Sequence, residues 1–387
     1  MLIAKLQEKK IAQQNAFLLR KRTVIANRIG NDVLINGVQA INFSSNDYLG
    51  LATDPRVVQA FKEGIDLYGF GSSASALVSG YYAAHQAFEE EFAAFVGRES
   101  ALLFNSGYLA NLGVINALAT PDTTIISDKL CHASLLDAVK LSKAKHVRYA
   151  HNDMVHLQQR LTQAASNPKI IVSESVFSMR GDVANLVKMV ELSQQAQALL
   201  LIDDAHGVGV LGNYGAGICD EYSVTQQQVP LLITPLGKAF AGSGAVVSGS
   251  KELIDALLQF SRTYTYTTAL PPAVAHAALT VLSLIKNESW RRKKLMQLIQ
   301  FFMQAAHERG IPLQANDHTP IKAIAMRDSA SALRLQEILN AKGFWIYAIR
   351  PPTVPPNTAC IRVSLNCMHT PQQIADLLDL MVENYVW

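Results

Sequence analysis

Seven short apolar runs constrain the fold of this chain more than any other feature. They are Ala101–Phe104, Thr124–Ser127, Val147–Ala150, Ile170–Ser173, Leu199–Asp203, Leu231–Thr234 and Ala245–Ser248. Runs of this length suit buried strands rather than helices. Helical periodicity separates most of them. Strand and helix in alternation predict an α/β fold, with a mostly parallel seven-stranded sheet and helices on both faces. Ligands in such sheets bind beyond the carboxyl ends of the strands. The residues just after each run are therefore the first candidates for chemistry.

The flanks read differently. Leu2 to about Ile25 carries helical periodicity with few breakers, and Val33–Val38 predicts a hairpin with a primed turn at Asn36-Gly37. Asp54 and Pro55 are the N-cap and first residue of a helix. Phe88, Phe92, Phe95 and Val96 share one face of another, which stops at Gly97. Past about Asn287 come a helix from Trp290 to His307, a strand Ile321–Met326, a helix around Leu333–Leu339, strands Phe344–Ala348 and Ile361–Leu365, and a helix from Pro371. The expected organisation is an N-terminal helix and hairpin segment over 1–44, a large domain over 45–286, and a small α+β domain over 287–387.

Composition narrows the function. At 49% hydrophobic and 17% charged residues, the 387-residue chain can bury a sizeable core. A formal net charge of +3 without a basic tract leaves no footprint for nucleic acid. The Lys21-Arg22 pair suits a solvated helix face. Cys131, Cys219, Cys360 and Cys367 lack paired spacing, which argues for reduced thiols and against a disulfide framework or zinc site. No signal-peptide pattern opens at Met1, and no apolar run is long enough to span a bilayer. The expectation is a cytoplasmic protein without a metal, a membrane or a nucleic-acid partner.

Chemistry gathers after two of the runs. Leu199–Asp203 ends in Asp203-Asp204-Ala205-His206, and Leu231–Thr234 leads to Gly237-Lys238. An acid, an imidazole and a lysine at neighbouring strand ends can grip a pyridine aldehyde. The lysine forms a Schiff base, the acid keeps the ring nitrogen protonated, and the imidazole contacts the ring oxygen. Lys238 alone would pass for a loop lysine, and the Asp-Asp pair for a cap. Gly207, Gly209 and Gly212 match the dinucleotide fingerprint, which would make the protein a nicotinamide-dependent dehydrogenase. The charged Asp-Asp-Ala-His between strand and glycines argues against it, as does the lack of a second strand ending in an acid. Asn105-Ser106-Gly107-Tyr108 is either an ordinary strand-to-helix turn or a phosphate site on helix amides. His132, in Cys131-His132-Ala133-Ser134, is either a core histidine or a functional one; a metal site would need further ligands.

These motifs run from Asn42-Phe43-Ser44-Ser45-Asn46-Asp47-Tyr48-Leu49-Gly50, through Asp203 to His206 and Gly237-Lys238, to Arg350-Pro351-Pro352-Thr353-Val354-Pro355. Over nearly its whole length the chain resembles the α-oxoamine synthases, fold type I enzymes of pyridoxal 5'-phosphate (PLP). The resemblance implies that Lys238 carries PLP, Asp203 meets the ring nitrogen and His206 the ring oxygen. It places His132 on the cofactor ring, also in contact with substrate, and Ser178 against the cofactor. The phosphate falls to the Gly107-Tyr108 backbone, Thr234, and Thr267 and Thr268 reaching into a neighbouring subunit, which implies a homodimer with composite sites. Lys238, His132 and Asp203 are then catalytic. Arg362 clamps the amino acid's carboxylate, while Arg20, Asn46 and Thr353 complete the substrate site.

The implied reaction is decarboxylative condensation of L-alanine with a pimeloyl thioester of coenzyme A or acyl carrier protein, in biotin synthesis. Glycine or serine with another acyl thioester is the alternative within the family. A non-catalytic subunit of a PLP heterodimer should lack Lys238. Two departures stand out. Arg180 replaces a common Asp. Pro235 stands three residues before the lysine, where relatives have a threonine, so either an insertion keeps the hydroxyl at Thr234 or it is lost.

Overall fold

The computed structural model describes residues 1–164 and 168–385. It divides into two compact units. The larger comprises Asp54–Phe177 and Val183–Arg292; the smaller comprises Met1–Thr53, Ser178–Asp182 and Lys293–Trp387. The strands are β1 (Ile25–Ile29), β2 (Asp32–Ile35), β3 (Val38–Asn42), β4 (Ser100–Phe104), β5 (Thr124–Asp128), β6 (Lys145–Tyr149), β7 (Lys169–Glu174), β8 (Leu199–Asp203), β9 (Leu231–Pro235), β10 (Ala245–Gly249), β11 (Ile321–Ala325), β12 (Phe344–Trp345), β13 (Tyr347–Ile349) and β14 (Cys360–Ser364).

All seven apolar runs become strands of one sheet in the larger unit, in the order β4-β10-β9-β8-β7-β5-β6. Only β10 runs against its neighbours. Apart from the edge strand β6, which is largely exposed, the sheet is buried on both faces, which is why its strands read as near-continuous apolar runs. Every residue of β5 and β10 is buried. One face packs against helices Gly107–Leu118, Ala133–Ser142 and Lys251–Phe260 through Leu201, Ile233, Ala110, Val114, Leu135 and Leu257. Asp54 caps helix Pro55–Tyr68 by accepting from the Arg56 N–H. Phe88 and Phe92 are fully buried on helix Ala83–Phe95, and Gly97 beyond it has φ 67°.

The smaller unit holds two sheets, β1-β2-β3-β12 and β11-β14-β13. Asn36 and Gly37 both have positive φ (51° and 81°), so the β2–β3 hairpin has its primed turn. Two expectations need correction. The first helix spans Leu2–Asn15 rather than reaching Ile25. Phe17 adopts φ 57°; its N–H bonds Gln14 C=O at 3.0 Å and the Leu18 N–H bonds Gln13 C=O at 2.8 Å, which closes the helix as a Schellman turn. Phe344–Ala348 is not one strand. β12 pairs in parallel with β3, β13 pairs antiparallel with β14, and buried Ile346 separates them. Sequence separation hides this, because β12 completes a sheet begun some three hundred residues earlier.

Candidate active site

In the larger unit, β8 places Asp203 beside Glu174 of β7 and Ile233 of β9. Side chains alternate along a strand. Asp203, Ile233 and Pro235 therefore share the face covered by helix Gly107–Leu118, while Asp204 and Thr234 point to the other. Asp203 is 4% exposed, and burial raises its carboxyl above the usual range. Its Oδ2 accepts from Asn111 Nδ2 at 2.8 Å and its Oδ1 from the Ala205 N–H at 3.2 Å. Asn111, His132, the Ala205 amide and Lys238 all favour the charged form. Asp204 is buried, raised to about 6 by burial, and accepts from the Ile218 N–H at 2.9 Å. It closes a turn. Gly207, Gly209 and Gly212 lie among turns, and the next helix begins only at Ile218, so no fingerprint helix follows β8.

Lys238 is half-buried in the bend after β9. Three backbone hydrogen bonds hold that bend: Leu236 to Gly244, Gly242 to Leu236, and Ala241 to Lys238, at 2.9, 3.0 and 2.8 Å. His206 is 3% exposed. His132 caps helix Ala133–Ser142, its Nδ1 accepting from the Ser134 N–H at 3.3 Å and lying 2.7 Å from Ser134 Oγ.

Gly107 opens its helix behind Ser106, whose Oγ accepts from the Leu109 N–H at 3.3 Å. A Cβ on Gly107 would come within 2.6 Å of Pro235 Cγ, so that approach requires glycine. Asn105 donates to Thr268 C=O at 2.5 Å, bringing the exposed Thr268 to the same turn beside half-buried Thr267. Amides at the start of this helix suit an anion. The Thr234 hydroxyl is buried without a protein partner, on the face away from Gly107. Pro235 pairs with Ala245 in an unbroken register, which sets Pro235 toward the Gly107 turn and Thr234 away from it.

In the smaller unit, β14 presents Arg362, 9% exposed. Its Nε donates to Ser178 C=O at 2.8 Å and its Nη2 to Asn46 Oδ1 at 3.1 Å. The Tyr48 hydroxyl donates to the same Oδ1 at 3.2 Å, and burial pushes that phenol up to about 12. Arg20 Nη2 donates to Thr353 Oγ1 at 2.8 Å, across 333 residues of sequence. Both line a cavity of about 190 Å³ with Leu18, Tyr347 and Arg350. Arg180 donates to Gln314 C=O at 3.1 Å and lies 3.8 Å from Asp182.

Asn111 goes unnamed in the sequence reading, and Ser134 appears there only as the end of the motif around His132, without a role. Asn111 is 1% exposed on an otherwise apolar helix face. A polar residue where periodicity demands an apolar one was the available signal.

Known proteins share this architecture. The model of the family "Aminotransferase class I and II" matches residues 38–380. An 8-amino-7-oxononanoate synthase of Pseudomonas putida is 44% identical over 99% of this chain and 97% of its own length. Among solved structures, a serine palmitoyltransferase variant from S. paucimobilis, with a bound PLP-myriocin aldimine, superposes with a TM-score of 0.93 at 27% identity, over 98% of this chain and 96% of that one. An 8-amino-7-oxononanoate synthase from Francisella tularensis gives 0.79 at 34% identity, over 89% and 97%. The chain therefore belongs to the class I and II aminotransferase family and groups within it with the 8-amino-7-oxononanoate synthases.

Proposed function

We propose that this protein is a PLP-dependent acyltransferase that condenses L-alanine with a pimeloyl thioester, releasing CO2 and the thiol, to give the 8-amino-7-oxononanoate of biotin biosynthesis. The observation that carries the reading is the 44% identity to a curated 8-amino-7-oxononanoate synthase over 99% of the chain.

The residues suit the cofactor. Asp203 is a carboxyl that burial would neutralise and that a cationic ring nitrogen would keep charged. Gly107 and Tyr108 offer first-turn amides to a phosphate. Lys238 would hold the aldehyde, with His206 at the ring oxygen, His132 against the ring and Ser178 nearby. Bound PLP supplies an electron sink for the pair left on the substrate's Cα. Asp203 keeps the proton on the ring nitrogen. Lys238, as a neutral amine, takes the Cα proton of alanine. Arg362 clamps the alanine carboxylate with its planar fork, steadied by Asn46. Arg20 and Thr353 position the acyl thioester. The same reading makes the protein a homodimer in which Thr267 and Thr268 serve a neighbouring subunit; Tyr266 beside them is 72% exposed.

The test is kcat/KM for alanine, glycine and serine against pimeloyl, acetyl, succinyl and palmitoyl thioesters. Alanine with pimeloyl should lead. A preference for serine with palmitoyl would move the protein to the activity of its structural neighbour.

A further inference from the structure

Asn111 carries one side-chain amide with two hydrogens, and both are used. One goes to Asp203 Oδ2 and the other to Ser134 Oγ, each at 2.8 Å. The amide orientation follows from its neighbour, because the reverse would set Oδ1 against the Asp203 carboxylate. Ser134 Oγ accepts from Asn111, so its own hydrogen is free for His132 Nδ1 at 2.7 Å. The Ser134 backbone N–H, which can only donate, reaches the same Nδ1 at 3.3 Å. Two donors therefore converge on Nδ1, and the neutral ring must carry its proton on Nε2. Asn111, Ser134 and Asp203 are 1%, 1% and 4% exposed, so water competes little for these bonds.

We propose that Asn111 is a positioning residue: its single amide orients the Asp203 carboxylate and, through the Ser134 hydroxyl, sets the tautomer and ring orientation of His132. The link joins the end of β8 to the starts of two helices, so the acid and the imidazole are set as one unit. It rests on the reading of Asp203 and His132 as cofactor-facing groups. Asn111 touches neither substrate nor cofactor in this account. Its effect on turnover passes through the two residues it holds.

The experiment uses the full chain, ¹⁵N-labelled at histidine, before and after addition of PLP, with His132 assigned from His132→Gln. Long-range ¹H–¹⁵N correlation reports which ring nitrogen is protonated. The wild type should show the Nε2–H tautomer. Asn111→Leu and, separately, Ser134→Ala keep the Ser134 backbone N–H on Nδ1, so each should retain the Nε2–H form as the majority while a minor Nδ1–H form, absent from the wild type, becomes detectable; Ser134→Ala leaves the Asn111–Asp203 bond in place and serves if Asn111→Leu does not fold. Loss of a hydrogen bond to a charged group predicts a fall in kcat of about 10- to 100-fold for Asn111→Leu, with the KM for alanine within about twofold of wild type, since uniform binding is untouched. A proton on Nδ1 in the wild type, or no Nδ1–H form in either variant, overturns the proposal. Failure to bind PLP would overturn the functional reading while the tautomer measurement still decided this one.

Discussion

In the larger unit Glu89, Asp203 and Asp204 are buried carboxyls raised by burial, Glu89 to about 7 and Asp204 to about 6. In the smaller unit the buried titratable groups include bases: Lys322 is lowered to about 8 and His369 to about 4, again by burial. Burial disfavours charge in both, but the pH consequences are opposite. Glu89 holds its proton more tightly folded than unfolded, so its contribution is full below pH 4.5 and lost as pH rises through 7. His369 holds its proton less tightly folded, so its contribution is full above pH 6.5 and lost as pH falls through 4. The units also recruit their candidate residues differently. Asp203, His206 and Lys238 follow neighbouring strands of one sheet, whereas Arg20–Thr353 and Asn46–Arg362 pair residues 333 and 316 positions apart. On the proposed function the larger unit would carry the bond making and the smaller the recognition, and the two should separate in kcat and KM.

The largest effect that can break this division is at Lys238. Lys238→Ala should fold, with an unchanged melting temperature, and lose at least about 10³-fold in kcat if its amine is the general base; a variant that keeps turnover would remove the chemistry from the larger unit. Asp203→Asn keeps shape and removes charge. It should slow exchange of the alanine Cα proton in D2O by about 10²- to 10³-fold, the scale of a preorganised electrostatic contact, and unchanged exchange would make the acid structural.

Glu89→Gln tests the acid side of the comparison. The carboxyl accepts from Leu103 N–H and Tyr81 O–H, both at 2.6 Å. The shift from 4.5 to about 7 corresponds to about 3 kcal/mol of stability lost between those pH values. The variant's unfolding free energy should lack that decline, as urea melts across the range would show. For His369, stacked on Phe43 at 4.1 Å, hydrogen-exchange protection of β3 and β14 should fall as pH drops from 6.5 through 4.

Arg362→Ala should raise the KM for alanine by roughly 30-fold, the worth of a charged hydrogen-bond pair, and leave the thioester KM nearly unchanged. The smallest effect is expected at Arg20, which is exposed. Arg20→Ala should raise the thioester KM by about tenfold or less, with the alanine KM unmoved. The reverse pattern would exchange the two recognition roles.

Much of this was legible because it is local. The seven runs are seven strands, and in all but the exposed edge strand β6 burial on both faces demands near-continuous hydrophobicity. The Asn36-Gly37 turn and the Asp54 cap are read from residues two or three apart. The same locality puts Asp203 at a strand end and Lys238 in the bend after the next strand. Sequence by itself determined the α/β sheet, the residue types at its strand ends and the family. Tertiary structure decided what depends on distant partners. Asn111 joins Asp203 to Ser134 because three elements meet there, and no spacing along the chain encodes that meeting. Thr234 faces away from Gly107 because β9 keeps its register, whereas a threonine one residue before the expected position looks equivalent in a string of letters. β12 and β13 part because each finds a different neighbour, and a strand is completed by the edge it meets rather than by its own five residues.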